Sequence, residues 1–288
     1  MKIKSLTRTL ALLLIVQFTS TLQMNAQALK TPAPSPLQSI DQAFALSNIK
    51  IEYSRPSVKG RVVFGDLVPF GKIWRTGANS ATKITFGDDV KIEGVALKAG
   101  SYALYTIPNK DSWEILFYKD LTLGGNVAEY KAADEVIRVK GKVSASSSKV
   151  ETFTMNIADM TSTSANVELV WDMTKVSFNV TTEIDEKVMK NIDAALEKDS
   201  RPYFQAANYY YENNKDLTKA LAWVNTAIEQ NPKAYWMSHL KAKIQVKMKD
   251  SKGAIESAEK SMALAKEDGN DDYVKLNEKL IKDAKGGK

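Results

Sequence analysis

The hydrophobic pattern of this chain changes its period once, near Glu183. Before that position, apolar and polar residues alternate over stretches such as 152–157 and 166–171, which is the pattern of half-buried strands. After it, apolar residues recur with helical spacing, beginning at Val188 and Ile192. Because sheets and helical arrays bury different faces, the sequence predicts an all-β N-terminal domain followed by an all-α domain.

Short runs rich in β-branched and aromatic residues fill the predicted β domain, residues 37–182. These runs are 48–53, 83–86, 90–93, 102–107, 113–118, 135–139, 150–157, 166–171 and 175–180. Turn residues separate them, and the serine-rich stretch 144–148 is one of the predicted turns. About nine strands at this spacing predict an antiparallel sandwich or barrel.

The predicted helical domain, residues 183–288, contains an internal repeat. A shift of 34 positions places Ala254 under Ala220 and Ser261 under Ala227. Small residues at such positions let the two helices of a hairpin approach closely. The unit resembles the tetratricopeptide repeat, so the sequence predicts helical-hairpin repeats, a fold that commonly binds protein.

The first residues of the chain have the three parts of a secretory signal peptide. Residues 1–28 combine a basic start, an apolar run from Leu10 to Phe18 and an Ala-x-Ala site that ends at Ala28. A membrane anchor is the alternative interpretation, but a spanning helix needs about 20 apolar residues and this run is much shorter. The sequence therefore predicts an exported chain, periplasmic or secreted, without a stable membrane span. Residues 29–36 alternate proline with small residues and predict an extended lead-in.

Charge and residue usage narrow the classes of function. The whole chain has a formal net charge of +6, and removal of residues 1–28, with their three basic and no acidic residues, leaves +3. This weak charge gives little reason to expect a nucleic-acid partner. The chain has no cysteine and a single histidine, His239, so thiolate metal sites, cysteine nucleophiles and multi-histidine sites are excluded. We expect no cofactor and no metal, and we expect His239 on a helix surface.

The segment 54–79 is the strongest candidate for a site, because it interleaves cations with aromatic residues and glycines and contains only one acid. Its candidate ligand-binding residues are Arg55, Arg61, Trp74, Arg75, Asn79 and Asp66. One interpretation is a loop whose guanidinium groups hold a carboxylate, a phosphate or a sugar acid. The other is structural: the arginines pair with Asp66 or nearby glutamates, and the aromatic rings fill one end of the sheet.

Five motifs in the β domain are those of a known family. They read YSRPSVKGR at 53–61, FG at 64–65, VPFGKIWRTGAN at 68–79, LKAGSY at 97–102 and WEI at 113–115. Over about residues 36–180 the chain resembles the DUF2911 family of exported bacterial proteins. The resemblance implies an exported all-β domain, often followed by a helical tail, and supplies no activity. Leu123 departs from it, since tryptophan is expected before Gly124.

Three functions remain open at the level of sequence. The first is a noncatalytic binding protein of the cell envelope, whose β domain binds an anionic small molecule, a glycan or another envelope component and whose helical repeats bind protein. The second is a hydrolase or lyase acting on an anionic sugar or peptide, with arginine clamps and Asp66 as base. The third is a purely structural envelope protein. A nucleophile, metal set or cofactor motif that would identify an enzyme is missing from the sequence, and we favour the first function.

Overall fold

The structure is a computed structural model that describes residues 31–197 and 201–286. The predicted signal peptide, residues 1–28, lies outside the described residues. The chain divides into two compact units, with the boundary between Thr182 and Glu183. Each unit has its own hydrophobic core.

The first unit is one continuous sheet of nine strands. They are β1 (Leu37–Phe44), β2 (Ser47–Ser54), β3 (Ala78–Phe86), β4 (Val90–Ile92), β5 (Val95–Leu97), β6 (Gly100–Ile107), β7 (Ser112–Tyr118), β8 (Glu135–Ala158) and β9 (Ser164–Thr181). The order across the sheet is β1-β2-β3-β6-β7-β8-β9-β4-β5, and every pairing between these strands is antiparallel. The predicted β domain followed by an α domain is confirmed, with the strands in a single open sheet.

The two longest strands, β8 and β9, replace four shorter strands that the sequence predicts. The predicted turn at 144–148 is wrong, because strand β8 continues through it. Ala145 of β8 pairs with Thr174 of β9, and Thr154 pairs with Val170. Between these two pairs β8 contains more residues than β9, and the extra residues form bulges. Bulges bend a strand without reversing it, which lets one long pair face the core along both of its halves.

Strands β6 and β7 are buried on both faces. Their inner face, which includes Trp113, belongs to the main core. On the outer face, Tyr105 and Tyr118 form a second cluster, against which Leu123 and Tyr130 of the β7–β8 connection pack. The connection 119–134 therefore acts as a cover on the outside of the sheet.

The second unit has six helices within its described residues. They are α1 (Asp185–Glu197), α2 (Tyr203–Glu212), α3 (Leu217–Gln230), α4 (Tyr235–Lys247), α5 (Ser251–Glu267) and α6 (Asp271–Lys285). Asp216, Asp250 and Asn270 accept hydrogen bonds from amides of the first turns of α3, α5 and α6, and so fix where these helices begin. In the described parts of the chain, no helix combines the length and the apolar composition needed to cross a membrane.

The repeat positions picked out in the sequence lie in the helical core. Ala220, Ala227, Ala254 and Ser261 are all buried. The hydroxyl of Ser261 donates a hydrogen bond of 2.7 Å to the carbonyl oxygen of Tyr235, so this small polar residue joins α5 to α4. Helices α3 and α5 thus present their short side chains to neighbouring helices, as close helix packing requires.

The single histidine is half-buried, so its predicted place on a helix surface is wrong. The Nδ1 atom of His239 lies 2.8 Å from Oδ1 of Asn277 on α6, and the ring of Tyr273 packs edge-on against the imidazole. Asn277 Nδ2 already donates to Ser261 Oγ and to the Tyr273 carbonyl oxygen, so its Oδ1 is the acceptor and His239 Nδ1 carries the proton. Burial lowers the pKa of His239, and the neutral ring is the form that fits.

Candidate functional site

The arginine-rich segment 54–79 runs from the end of β2 to the start of β3. It is attached to the sheet at two bridges, one between Ser57 and Thr152 and one between Trp74 and Thr106. The Trp74 amide donates to the Thr106 carbonyl oxygen at 2.8 Å, and the Thr106 amide donates back at 2.9 Å. The segment is therefore a fixed layer against the core.

Arg55 and Arg61 both donate to oxygen atoms of the protein itself. Arg55 donates from Nε to the Phe153 carbonyl oxygen at 3.0 Å and from Nη2 to the Thr154 hydroxyl oxygen at 2.7 Å, which ties the end of β2 to β8. Arg61 donates to the Val58 carbonyl oxygen at 3.0 Å and the Ser57 carbonyl oxygen at 2.7 Å, within its own loop. Both guanidinium groups thus serve the structure of the segment.

Asp66 and Asn79 lie apart from these arginine contacts. Asp66 is exposed on a turn closed by the hydrogen bond from the Gly65 amide to the Val68 carbonyl oxygen, and it has no polar partner among the residues that the structure describes. Asn79 has a φ of 59°, and its amide donates to Ser54 Oγ at 3.2 Å. A mechanism with arginine clamps around Asp66 gains no support from this arrangement.

Trp74 and Arg75 point to opposite sides of the segment, as neighbours on an extended chain do. Trp74 stacks on Trp171 in the core with ring centroids 5.8 Å apart, and its Nε1 donates to the Gly77 carbonyl oxygen at 3.1 Å. Arg75 lies on the outside of the sheet against Gly125. The three arginines therefore have three different sets of neighbours.

The first unit has a groove beside Phe70, which we call the Phe70 groove. It consists of two adjoining depressions of about 360 and 410 Å³ that share Phe70, Asn109 and Lys110. Its apolar lining is Phe64, Phe70, Trp113, Val143, Ala145 and Met173. Val143, Ser144 and Ala145 of β8, which directly precede the bulged part of that strand, supply one wall, so the strand pair that replaces the predicted turn also shapes the groove.

The rim of the Phe70 groove carries polar side chains with unused hydrogen-bonding capacity. Asn109, Lys110 and Asp111 follow one another on the turn between β6 and β7, and their side chains make no hydrogen bond or ion pair within the described residues. The Phe70 ring is 37% exposed. An exposed ring beside amide, ammonium and carboxylate groups offers both stacking and directed hydrogen bonds to a ligand.

Comparison with known proteins identifies the family. The family model described as "Protein of unknown function (DUF2911)" matches residues 35–180. The chain belongs to this family. No curated protein and no solved structure matches it. In this DUF2911 chain the match covers the sheet and ends before the helical unit.

The Phe70 groove of this DUF2911 chain was not predicted from the sequence. Phe70 lies inside the candidate segment 54–79, but the other half of the groove comes from the turn 108–111 between β6 and β7. Pairing of the Gly71 amide with the Pro108 carbonyl oxygen at 2.9 Å brings the two together. In the described part of the chain, no group of three or more His, Cys, Asp or Glu side chains is placed to hold a metal.

Proposed function

We propose that this DUF2911 chain is an exported, noncatalytic binding protein of the bacterial cell envelope. Its β unit binds a glycan-like ligand with an acidic group in the Phe70 groove, and its helical unit binds protein. The signal-peptide pattern of residues 1–28 supports export. The observation that carries the proposal is the exposed Phe70 ring beside three polar side chains without partners.

The chemistry of a sugar matches this groove. A sugar ring has one face of C–H groups, which stacks on an aromatic ring, and a rim of hydroxyl groups, which pair with amide and carboxylate groups. Asn109 and Asp111 offer such groups, and the Lys110 ammonium gives an acidic substituent a partner. An open groove of this size holds part of an extended ligand and leaves the rest in solvent.

The helical unit supports the second half of the proposal through its hairpin geometry. Consecutive helices from α2 to α6 pack on one another, and short stacks of helical hairpins present surfaces to protein partners. Trp236 on α4 is 37% exposed, and a partly exposed tryptophan is a residue type that often anchors a partner. A Trp236→Ala chain used beside wild type in affinity capture from a periplasmic extract should lose any specific partner.

The Phe70 groove is tested by isothermal titration calorimetry of the full chain with soluble muropeptides, oligogalacturonates and neutral oligosaccharides of equal length. We expect an acidic oligosaccharide to bind, and we expect Phe70→Ala to weaken its binding by about tenfold or more. Lys110→Gln should weaken acidic ligands more than neutral ones, since it removes only the charge.

Leu67→Ala is the matched control, because Leu67 is 40% exposed, lies three positions before Phe70 and does not line the groove. It should leave the affinity unchanged. Equal losses in Phe70→Ala and Leu67→Ala would show that this segment affects binding only through its folding. Absence of binding across the three ligand sets would contradict the glycan assignment.

A further inference from the structure

The charged side chain of Arg75 lies on the outer face of the sheet. Ile73 and Arg75 alternate with the inward Trp74, and Ile73 packs on the outer cluster that includes Tyr105. The guanidinium group lies along the backbone of Gly125: a Cβ atom there would stand 2.7 Å from Nη1 and 3.3 Å from Cζ. Glycine at 125 thus leaves the space that the guanidinium occupies.

This cation has no counter-charge within the described residues. The Arg75 side chain is half-buried, its Nε is fully buried without a hydrogen-bond partner, and no carboxylate forms an ion pair with it. Asp120 of the connection is exposed, and its carboxylate accepts hydrogen bonds from the amide and the hydroxyl of Thr122. A half-buried guanidinium with neither a carboxylate nor a carbonyl acceptor is an exception to how proteins place arginine.

Around Arg75, the described residues offer hydrogen-bond donors but no carboxylate in an ion pair with the guanidinium group. The Tyr105 hydroxyl donates to the Gly124 carbonyl oxygen at 2.8 Å, and burial raises the pKa of Tyr105 to about 12, so this group stays a neutral phenol. Gly124 has a φ of +60°, and the amides of Gly124 and Gly125 donate to no acceptor in the described chain. The guanidinium group therefore lies beside a stretch of backbone that has two unused amides.

We propose that Arg75, with the amides of Gly124 and Gly125, binds an oxyanion group, a carboxylate or a phosphate, of a small ligand. The terminal guanidinium nitrogens supply charge-assisted hydrogen bonds, and the glycine amides supply further donors without side chains in the way. This site shares no residue with the Phe70 groove, so the test of one proposal does not decide the other.

The test is a titration of the full chain with inorganic phosphate and, separately, with succinate, with chloride keeping the ionic strength constant. Two-dimensional NMR follows the Gly124 and Gly125 amides and the Arg75 Nε–H signal. We expect saturable shifts at these three groups, together with a rise in melting temperature that saturates over the same range. A response to succinate alone or phosphate alone identifies the oxyanion class.

Two variants separate a site from a general effect of charge. Arg75→Gln should weaken binding by at least about tenfold, while Lys72→Gln, which removes an exposed cation three positions away, should not change it. Gly125→Ala keeps the charge but places a methyl group where Nη1 lies, and should also weaken binding. Wild-type signals that do not shift with either anion, or equal losses in Arg75→Gln and Lys72→Gln, would overturn the proposal.

Discussion

Replacement of Arg55 by methionine should destabilise the β unit through one lost connection. Methionine keeps much of the aliphatic stem but removes both guanidinium hydrogen bonds to β8. The Phe153 carbonyl oxygen loses its side-chain donor, which costs about 1–2 kcal/mol, and the lost charge-assisted bond to Thr154 adds about 1 kcal/mol. We therefore expect a loss of about 2–3 kcal/mol in the free energy of unfolding, equivalent to a fall of roughly 5–10 °C in Tm for a unit of this size.

Arg61→Met is the control that tests the reasoning behind this number. Arg61 also donates two hydrogen bonds, but both acceptors lie within four residues of it and the side chain is exposed. Loss of such local, solvated contacts should cost less than about 1 kcal/mol. The comparison isolates the contribution of joining segments about a hundred residues apart in sequence.

The measurement is urea unfolding followed by the indole N–H signals in NMR spectra of the full chain. Trp74, Trp113 and Trp171 report on the first unit, and Trp223 and Trp236 report on the second. Arg55→Met should lower the midpoint for the first three signals and leave the other two unchanged. If Arg55→Met and Arg61→Met shift the midpoint equally, or if the Arg55→Met shift amounts to less than about 0.5 kcal/mol, the assignment of Arg55 as a long-range tie is wrong.

Three further predictions concern separate features. Burial holds the pKa of His239 below its ordinary 6.5, so the unfolded chain takes up a proton at a higher pH than the folded chain. The contribution of His239 to the stability of the helical unit should therefore be complete above about pH 6.5 and should fall as the pH drops towards the lower pKa of the folded state. In His239→Asn chains this pH dependence of Tm should disappear. Gly141→Ala places a Cβ atom 2.9 Å from Val176 Cγ1 and 3.0 Å from Ile115 Cδ1, so it should lower stability by about 1–3 kcal/mol in urea titrations; an unchanged midpoint would show that the core yields there. Residues 37–182 expressed alone should give a folded product with near-ultraviolet circular dichroism from buried aromatic residues, and an aggregated product would mean that the helical unit completes this core.

The fold class could be predicted because it depends on local periodicity, whereas two details of the sheet could not. Strand β1 was missed because its partly buried face includes Gln38 and Gln42, so the alternation carries little hydrophobic contrast. The stretch 144–148 has the composition of a turn, but β8 continues through it and pairs with β9 at Ser144, at Ala145 and again at Val150. In both cases tertiary pairing overrides local preference.

The candidate site shows the same limit at the level of side chains. The sequence shows that Arg55, Arg61 and Arg75 are cations in an unusual segment. The role of each depends on the positions of its hydrogen-bond acceptors in space, which the sequence does not give. The acceptors of Arg55 lie about a hundred residues away, those of Arg61 are main-chain carbonyl oxygens, and Arg75 has none in the described chain. The sequence shows which side chains are hydrogen-bond donors, but only the fold shows which of them are left without an acceptor and can bind a ligand.

The open sheet has a consequence for how this protein behaves at high concentration. It ends in two unequal edges, the eight-residue β1 and the three-residue β5, so β1 offers the longer template for an added strand from another molecule. Prolines at 32, 34 and 36 precede β1 and cannot donate backbone hydrogen bonds. Self-association through this edge would therefore have to begin at Leu37 and would stop at the hairpin turn after Phe44. The lead-in thus limits the length over which two copies can join.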